Sequence, residues 1–115
     1  VSQDGIYNLQ FSLQLKNTTN DTQDVDVWFK KNGTNIDNSN SIFGLSTRKS
    51  AGDPSHTIAA MNYFVSLATN DYIEIMWRPS DVGVTIDASG TNTNPTRPAV
   101  PSAIATMSYV SNLSA

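Results

Sequence analysis

Apolar and polar residues alternate along much of this chain with the period of two expected of strands that bury one face. Across residues 5–16 (GIYNLQFSLQLK), Tyr7, Leu9, Phe11, Leu13 and Leu15 are separated by Asn8, Gln10, Ser12 and Gln14. Residues 17–23 (NTTNDTQ) are small polar turn formers, and they open into DVDVWFKKNG, where Val25, Val27 and Phe29 alternate with Asp24, Asp26, Trp28 and Lys30. Asn32-Gly33 ends this second strand with a pair suited to a type I′ turn, whose two central positions both need positive φ. Residues 34–37 are therefore expected to turn back on the second strand, with loop over 38–41. A short apolar piece, Ile42-Phe43-Gly44-Leu45 within residues 41–47, reads as an edge strand, and residues 48–55 (RKSAGDPS) read as an exposed loop.

Residues 56–68 (HTIAAMNYFVSLA) carry the Ala and Met of a helix, but Tyr63, Val65 and Leu67 alternate, which favours a strand closed by a turn at Asp71. Residues 72–77 (YIEIMW) form a strand by composition, stopped by Pro79. Residues 82–89 follow, with Val82, Val84, Ile86 and Ala88 on one side. Residues 90–101 hold three of the five prolines and predict a long ordered loop or crossover that does not pair in a sheet. The last strand is expected over 103–110 (AIATMSYV). Short strands with turn signals about every ten residues, and no internal repeat, predict an all-β sandwich or barrel.

Three blocks carry a family resemblance. Gly5-x-Tyr7 with its alternating strand resembles the third strand of the jelly roll shared by the globular heads of complement component C1q and the tumour necrosis factor cytokines. VDVWFKKNG, residues 25–33, is similar to the fourth strand and Asn-Gly turn of the bacteriophage and bacterial branch of that superfamily. FVSLATNDYIEIMW, residues 64–77, resembles its hydrophobic strand, Leu-x-x-Gly-Asp turn and following strand, with Leu67 and Asp71 in place and Asn70 standing where Gly is usual. Asn tolerates the left-handed conformation better than most residues, so the exchange is mild. The family has further strands ahead of Gly-x-Tyr, and four residues precede it here. The expectation is one jelly-roll domain over residues 1–115 that lacks those strands, unless a longer parent or another chain supplies them.

The resemblance implies an antiparallel jelly-roll sandwich and a homotrimer around a threefold axis. By strand parity, Asn8 and Gln10 then look toward the axis, while Ile73, Ile75 and Trp77 enter the core and leave Tyr72, Glu74 and Met76 for a neighbour. On the last strand either Met107 and Tyr109 or Thr106 and Ser108 face outward; Tyr109 is taken as the interface residue.

Composition narrows the function. Charged residues are 15% of the chain, and 14 Ser, 12 Thr and 12 Asn fill the deficit. The net charge is -3 and the seven Lys and Arg form no stripe, which argues against nucleic acid. No apolar run is long enough to span a membrane. Cysteine is absent, which removes disulfide scaffolds, zinc ribbons and thiol catalysis. The Asn-x-Ser/Thr sites at Asn17, Asn20, Asn32 and Asn112 are what so Asn- and Thr-rich a chain produces by chance.

Catalysis is poorly supplied: one His, His56, one Glu, and no Gly-x-Ser-x-Gly elbow. Nine of the ten acids are Asp, most of them in turns, which does not suggest a paired-carboxylate hydrolase. No enzyme activity and no cofactor are expected. Asp24 and Asp26 share one strand face near Asp21 and are weak candidates for Ca²⁺, the plainer role being charges that keep an exposed strand from pairing with strangers. Trp28 shares that outward face and is a candidate surface-binding residue, for a neighbouring subunit, a sugar, or the underside of a loop.

The leading expectation is a non-enzymatic virion structural protein, a trimeric knob on a bacteriophage surface acting as capsid decoration (cement) protein or fibre head. Its partners would be itself, the major capsid protein and a host surface glycan. The alternative is a secreted carbohydrate- or receptor-binding module using Trp28 with residues 35–40 or 90–98.

Overall fold

Each alternating run becomes a strand in the computed structural model, which describes residues 1–112. The strands are β1 (Gly5–Asn17), β2 (Gln23–Lys31), β3 (Thr34–Asn35), β4 (Ser41–Leu45), β5 (Ser55–Leu67), β6 (Ile73–Pro79), β7 (Val84–Ile86) and β8 (Ala103–Ser111), and no helix is present among the described residues. None, therefore, is long and apolar enough to cross a membrane. The strand reading of residues 56–68 holds as β5, which pairs with β1 over the whole length of both, Gly5 opposite Leu67 and Asn17 opposite Ser55.

Two antiparallel four-stranded sheets result. In the first, β1 is central, with β5 on one side and β8 then β7 on the other. In the second, β2 is central, with β6 on one side and β4 then β3 on the other. The chain changes sheet at β1–β2, β4–β5, β5–β6 and β6–β7, so strands that lie side by side are mostly distant in sequence. The odd positions of β1, from Leu9 to Leu15, meet Val25, Val27 and Phe29 across the interlayer, with Leu45, Ala59 and Val84 at the margins. Phe29 stacks on Tyr63 at 5.2 Å and meets Phe11 edge-on at 5.8 Å between centroids. Each such buried side chain contributes about 1.5–3 kcal/mol.

The turns follow the sequence signals. Asn32 (φ 51°) and Gly33 (φ 81°) form the positive-φ pair of a hairpin, and Thr34 returns to pair with Lys31. Asn70 adopts φ 73°, the left-handed geometry for which Asn substitutes for Gly. Gly5 is required for a different reason: a Cβ there would stand 2.8 Å from the Ser111 carbonyl oxygen and clash with the Tyr109 ring.

Three expectations need correction. The strand expected over residues 82–89 shrinks to Val84–Ile86, because only the far end of β1 is free to pair with it, and Val82 is 97% exposed. Ile75 and Trp77 point inward as parity requires, opposite Phe29 and Val27, yet each stays 36% exposed because the partner sheet does not cover them. Residues 90–101 are not free of pairing: Ser89 bridges Val100 and Asn92 bridges Arg97, although no named strand forms.

Candidate functional site

The sandwich presents three distinct surfaces, set by strand parity. The outer face of the first sheet carries the even positions of β1, and Asn8 and Gln10 lie there, opposite Phe64 and Asn62 on β5 and Ser108 and Thr106 on β8. Between Ile6 and Gln14 this face holds no charged side chain across all three strands; Lys16 and His56 stand at its far end. Phe64 is 57% exposed on it, Ile58 58% and Ile104 52%. The Asn8 Oδ1 is buried and meets no hydrogen-bond donor among the described residues. Phe64, Ile58 and Ile104 were not foreseen as site residues. The signal was present: in Tyr63-Phe64-Val65 both parities are apolar, the mark of a strand with two occupied faces.

The outer face of the second sheet is the opposite in character. Here lie Tyr72, Glu74 and Met76, separated from Asn8 and Gln10 by the thickness of the sandwich, with Glu74 across from Lys30 and Met76 across from Trp28. Arg78 stands opposite Asp26 on the same face. The six proposed interface residues therefore fall on different surfaces, since Tyr109 points inward beside Tyr7, the two rings edge-to-face at 5.7 Å. Of the two alternatives for β8, Thr106 and Ser108 share the outward parity of Gln10 and Asn8, and Met107 and Tyr109 the inward one.

On this second face Trp28, Asp26, Arg78 and residues 35–40 border an open groove of about 360 Å³. The Trp28 indole N–H donates to Asn35 Oδ1 at 2.8 Å, and Asn40 Nδ2 donates to Asp26 Oδ2 at 3.1 Å. The loop is pinned from below by Ser39, a serine only 1% exposed, whose hydroxyl accepts from the Phe29 N–H at 3.1 Å and donates to the Ile36 carbonyl at 2.7 Å. Asn38 takes φ 61° at its bend. Asp24 shares the face, but no third His, Cys, Asp or Glu joins it and Asp26 among the described residues. His56 is exposed and lies across from Lys16.

The third surface is the side of the sandwich where β6 and β8 are both free edges. Leu9, Phe29, Ile73, Ile75, Ala105 and Met107 line a cleft of about 190 Å³ there. Met107 and Tyr109 remain 46% and 41% exposed although they face inward. β8 contains no charged residue and no proline, the devices that usually keep an edge from pairing.

At one end of the sandwich, next to the start of β6, a polar knot links two turns. Asp71 accepts hydrogen bonds from Asn32 Nδ2 and the Ala68 N–H, both at 2.8 Å, with Lys31 Nζ at 3.6 Å. These donors, Asn32 first, hold its carboxyl below the usual carboxylate range. Asp4 is lowered similarly by the Thr69 backbone and hydroxyl donors. No protein-family model, no curated protein and no solved structure matches the chain.

Proposed function

We propose that the chain is a non-enzymatic structural domain of a bacteriophage virion, a trimeric jelly-roll knob on the particle surface that serves as a capsid decoration protein or a fibre head. The observation that carries the assembly part is the uncharged outer face of the first sheet. In a chain with 7 Lys and Arg and 10 Asp and Glu, a broad β surface free of charge with Phe64, Ile58 and Ile104 exposed has the composition of an interface core. Asn8 and Gln10 lie at its centre, so the contact would be apolar with neutral amides rather than ionic. Tyr72, Glu74 and Met76, on the other outer face, fall outside this contact.

The attribution to a phage rests on the resemblance of VDVWFKKNG and its flanking blocks. Two features of the fold support the jelly-roll reading: the repeated crossing of the chain between sheets, and the free edges of β6 and β8. Further strands of the kind the family carries ahead of Gly-x-Tyr, if they paired at those edges, would cover Ile75, Trp77, Met107 and Tyr109, which are 36–46% exposed.

Light scattering after size exclusion tests the assembly. The expected mass is three times 12.5 kDa, unchanged on dilution. Phe64→Asp, which places a charge in the contact while leaving the core alone, should give a folded monomer. A native chain that runs as a monomer at every concentration refutes the proposal. A decoration protein should, in addition, stabilise capsids, whereas a fibre head should alter adsorption and leave capsids unaffected.

A further inference from the structure

We propose that the groove over Trp28 is a binding site for a neutral saccharide. Trp28, Asp26 and Arg78 of the groove lie on the outer face of the second sheet, while Ile36 and Ser39 anchor its loop wall to the core beneath. The groove is shallow, about 360 Å³ and open to solvent, so a ligand there would rest on the surface rather than be engulfed. Trp28 supplies a partly exposed aromatic ring whose orientation is fixed by its bond to Asn35. A sugar ring presents a face of C–H groups that stacks on such a surface.

The polar groups are of the kind that bind hydroxyls. Asp26 has one carboxylate oxygen engaged by Asn40 and a second free to accept, and Arg78, across the ladder, makes no ion pair with it among the described residues. A carboxylate acceptor and a guanidinium donor on one strand row can hold two neighbouring hydroxyls of one ring. Asp37 also borders the groove, and two carboxylates against one Arg disfavour an anionic ligand. The far wall is preorganised: the buried Ser39 hydroxyl fixes residues 35–40 before any ligand arrives, which removes part of the ordering cost of binding.

The site is on the opposite face from the proposed trimer contact, so it stands or falls separately from it. The test is titration of the isotopically labelled chain with maltose, cellobiose and lactose to tens of millimolar, followed by amide and indole N–H resonances. At least one sugar should shift the Trp28 indole signal and the amides of residues 35–40, with Kd on the order of 1 mM. Trp28→Ala should weaken binding tenfold or more, and Trp77→Phe, on the inward side of β6, should leave it unchanged. Because Trp28→Ala removes a large side chain, Arg78→Ala at an exposed position provides a second variant, expected to weaken binding several-fold without changing the fold. Absence of groove shifts with all three sugars, or native binding in both Trp28→Ala and Arg78→Ala, overturns the proposal. Sedimentation of the same samples reports the assembly state independently.

Discussion

Asn17 is the residue whose replacement should reveal most about how the fold is tied. It sits at the end of β1, fully buried, and its amide makes four hydrogen bonds: Nδ2 donates to the Asp21 and Ser46 carbonyls, both at 2.9 Å, while Oδ1 accepts from the Thr19 N–H at 2.9 Å and the Thr19 hydroxyl at 2.8 Å. One side chain thereby closes the β1–β2 loop and anchors the chain leaving β4. At about 1 kcal/mol net per hydrogen bond the loss in Asn17→Ala would approach 4 kcal/mol, but water can reach the exposed Asp21 and Ser46, so about 2–3 kcal/mol is expected. For a domain of this size that lowers Tm by roughly 10 °C. Asn17→Asp sharpens the test, because it keeps the shape but turns two donors into an acceptor facing two carbonyls. At neutral pH it should be at least as destabilising as Ala, and it should recover in part as pH falls and the carboxyl regains a proton to donate. Urea unfolding followed by circular dichroism reads both, with an unchanged m value required for the comparison. An Asn17→Asp variant within ~0.5 kcal/mol of the parent at pH 7, the scatter of neutral surface changes, would refute this account of the amide.

Acid should loosen the turn that Asp71 holds. Its folded pKa is depressed, so its contribution is complete above the ordinary carboxylate range and is lost as pH falls below about 4; Asp71→Asn should be less stable than the parent at pH 7 and show a shallower loss of stability on acidification. At the free edge, Met107→Lys places an inward-facing charge on β8 where 46% exposure lets the ammonium reach water. Heated samples of that variant should aggregate more slowly by dynamic light scattering, and aggregation as fast as in the parent would mean that β8 is not the edge responsible.

Strand β1 was legible because it alternates strictly from Tyr7 to Leu15, β2 because Val25, Val27 and Phe29 alternate with polar neighbours, and β5 only through Tyr63, Val65 and Leu67, since Phe64 and Ile58 make its other face apolar too. The Asn-Gly hairpin and the Asn70 turn were legible from φ alone. What escaped were properties that depend on the layer opposite. Parity correctly turned Ile75 and Trp77 inward, but their exposure is decided by how far β8 reaches over them, which no local pattern records. Asn17 looked like one more polar turn former and a chance glycosylation site; its burial comes from Asp21 and Ser46, the latter 29 positions away. At the groove, Trp28 and residues 35–40 were each visible in the sequence, and the structure brings them together. The part played by Ser39 was hidden, since nothing marks one serine among fourteen as the one beneath a loop.

The two outer faces have the same strand geometry and differ in charge, and that difference separates the two proposed roles. The first sheet presents Asn8, Gln10, Ser12, Phe64 and Ile104, a surface without ions whose amides and hydroxyl need only hydrogen-bond partners to be buried. The second presents Asp24, Asp26, Lys30, Glu74 and Arg78, whose burial would cost several kcal/mol per unpaired ion, so it is the face that stays in water. A threefold contact through the first sheet would therefore leave three Trp28 grooves pointing away from the axis. One millimolar site holds a glycan only briefly, but three on a rigid body raise the effective concentration for each successive contact and can strengthen attachment ~10²–10⁴-fold without any new interaction. On this reading assembly and recognition are coupled by geometry alone: the uncharged sheet sets the number of grooves, and the charged sheet supplies them.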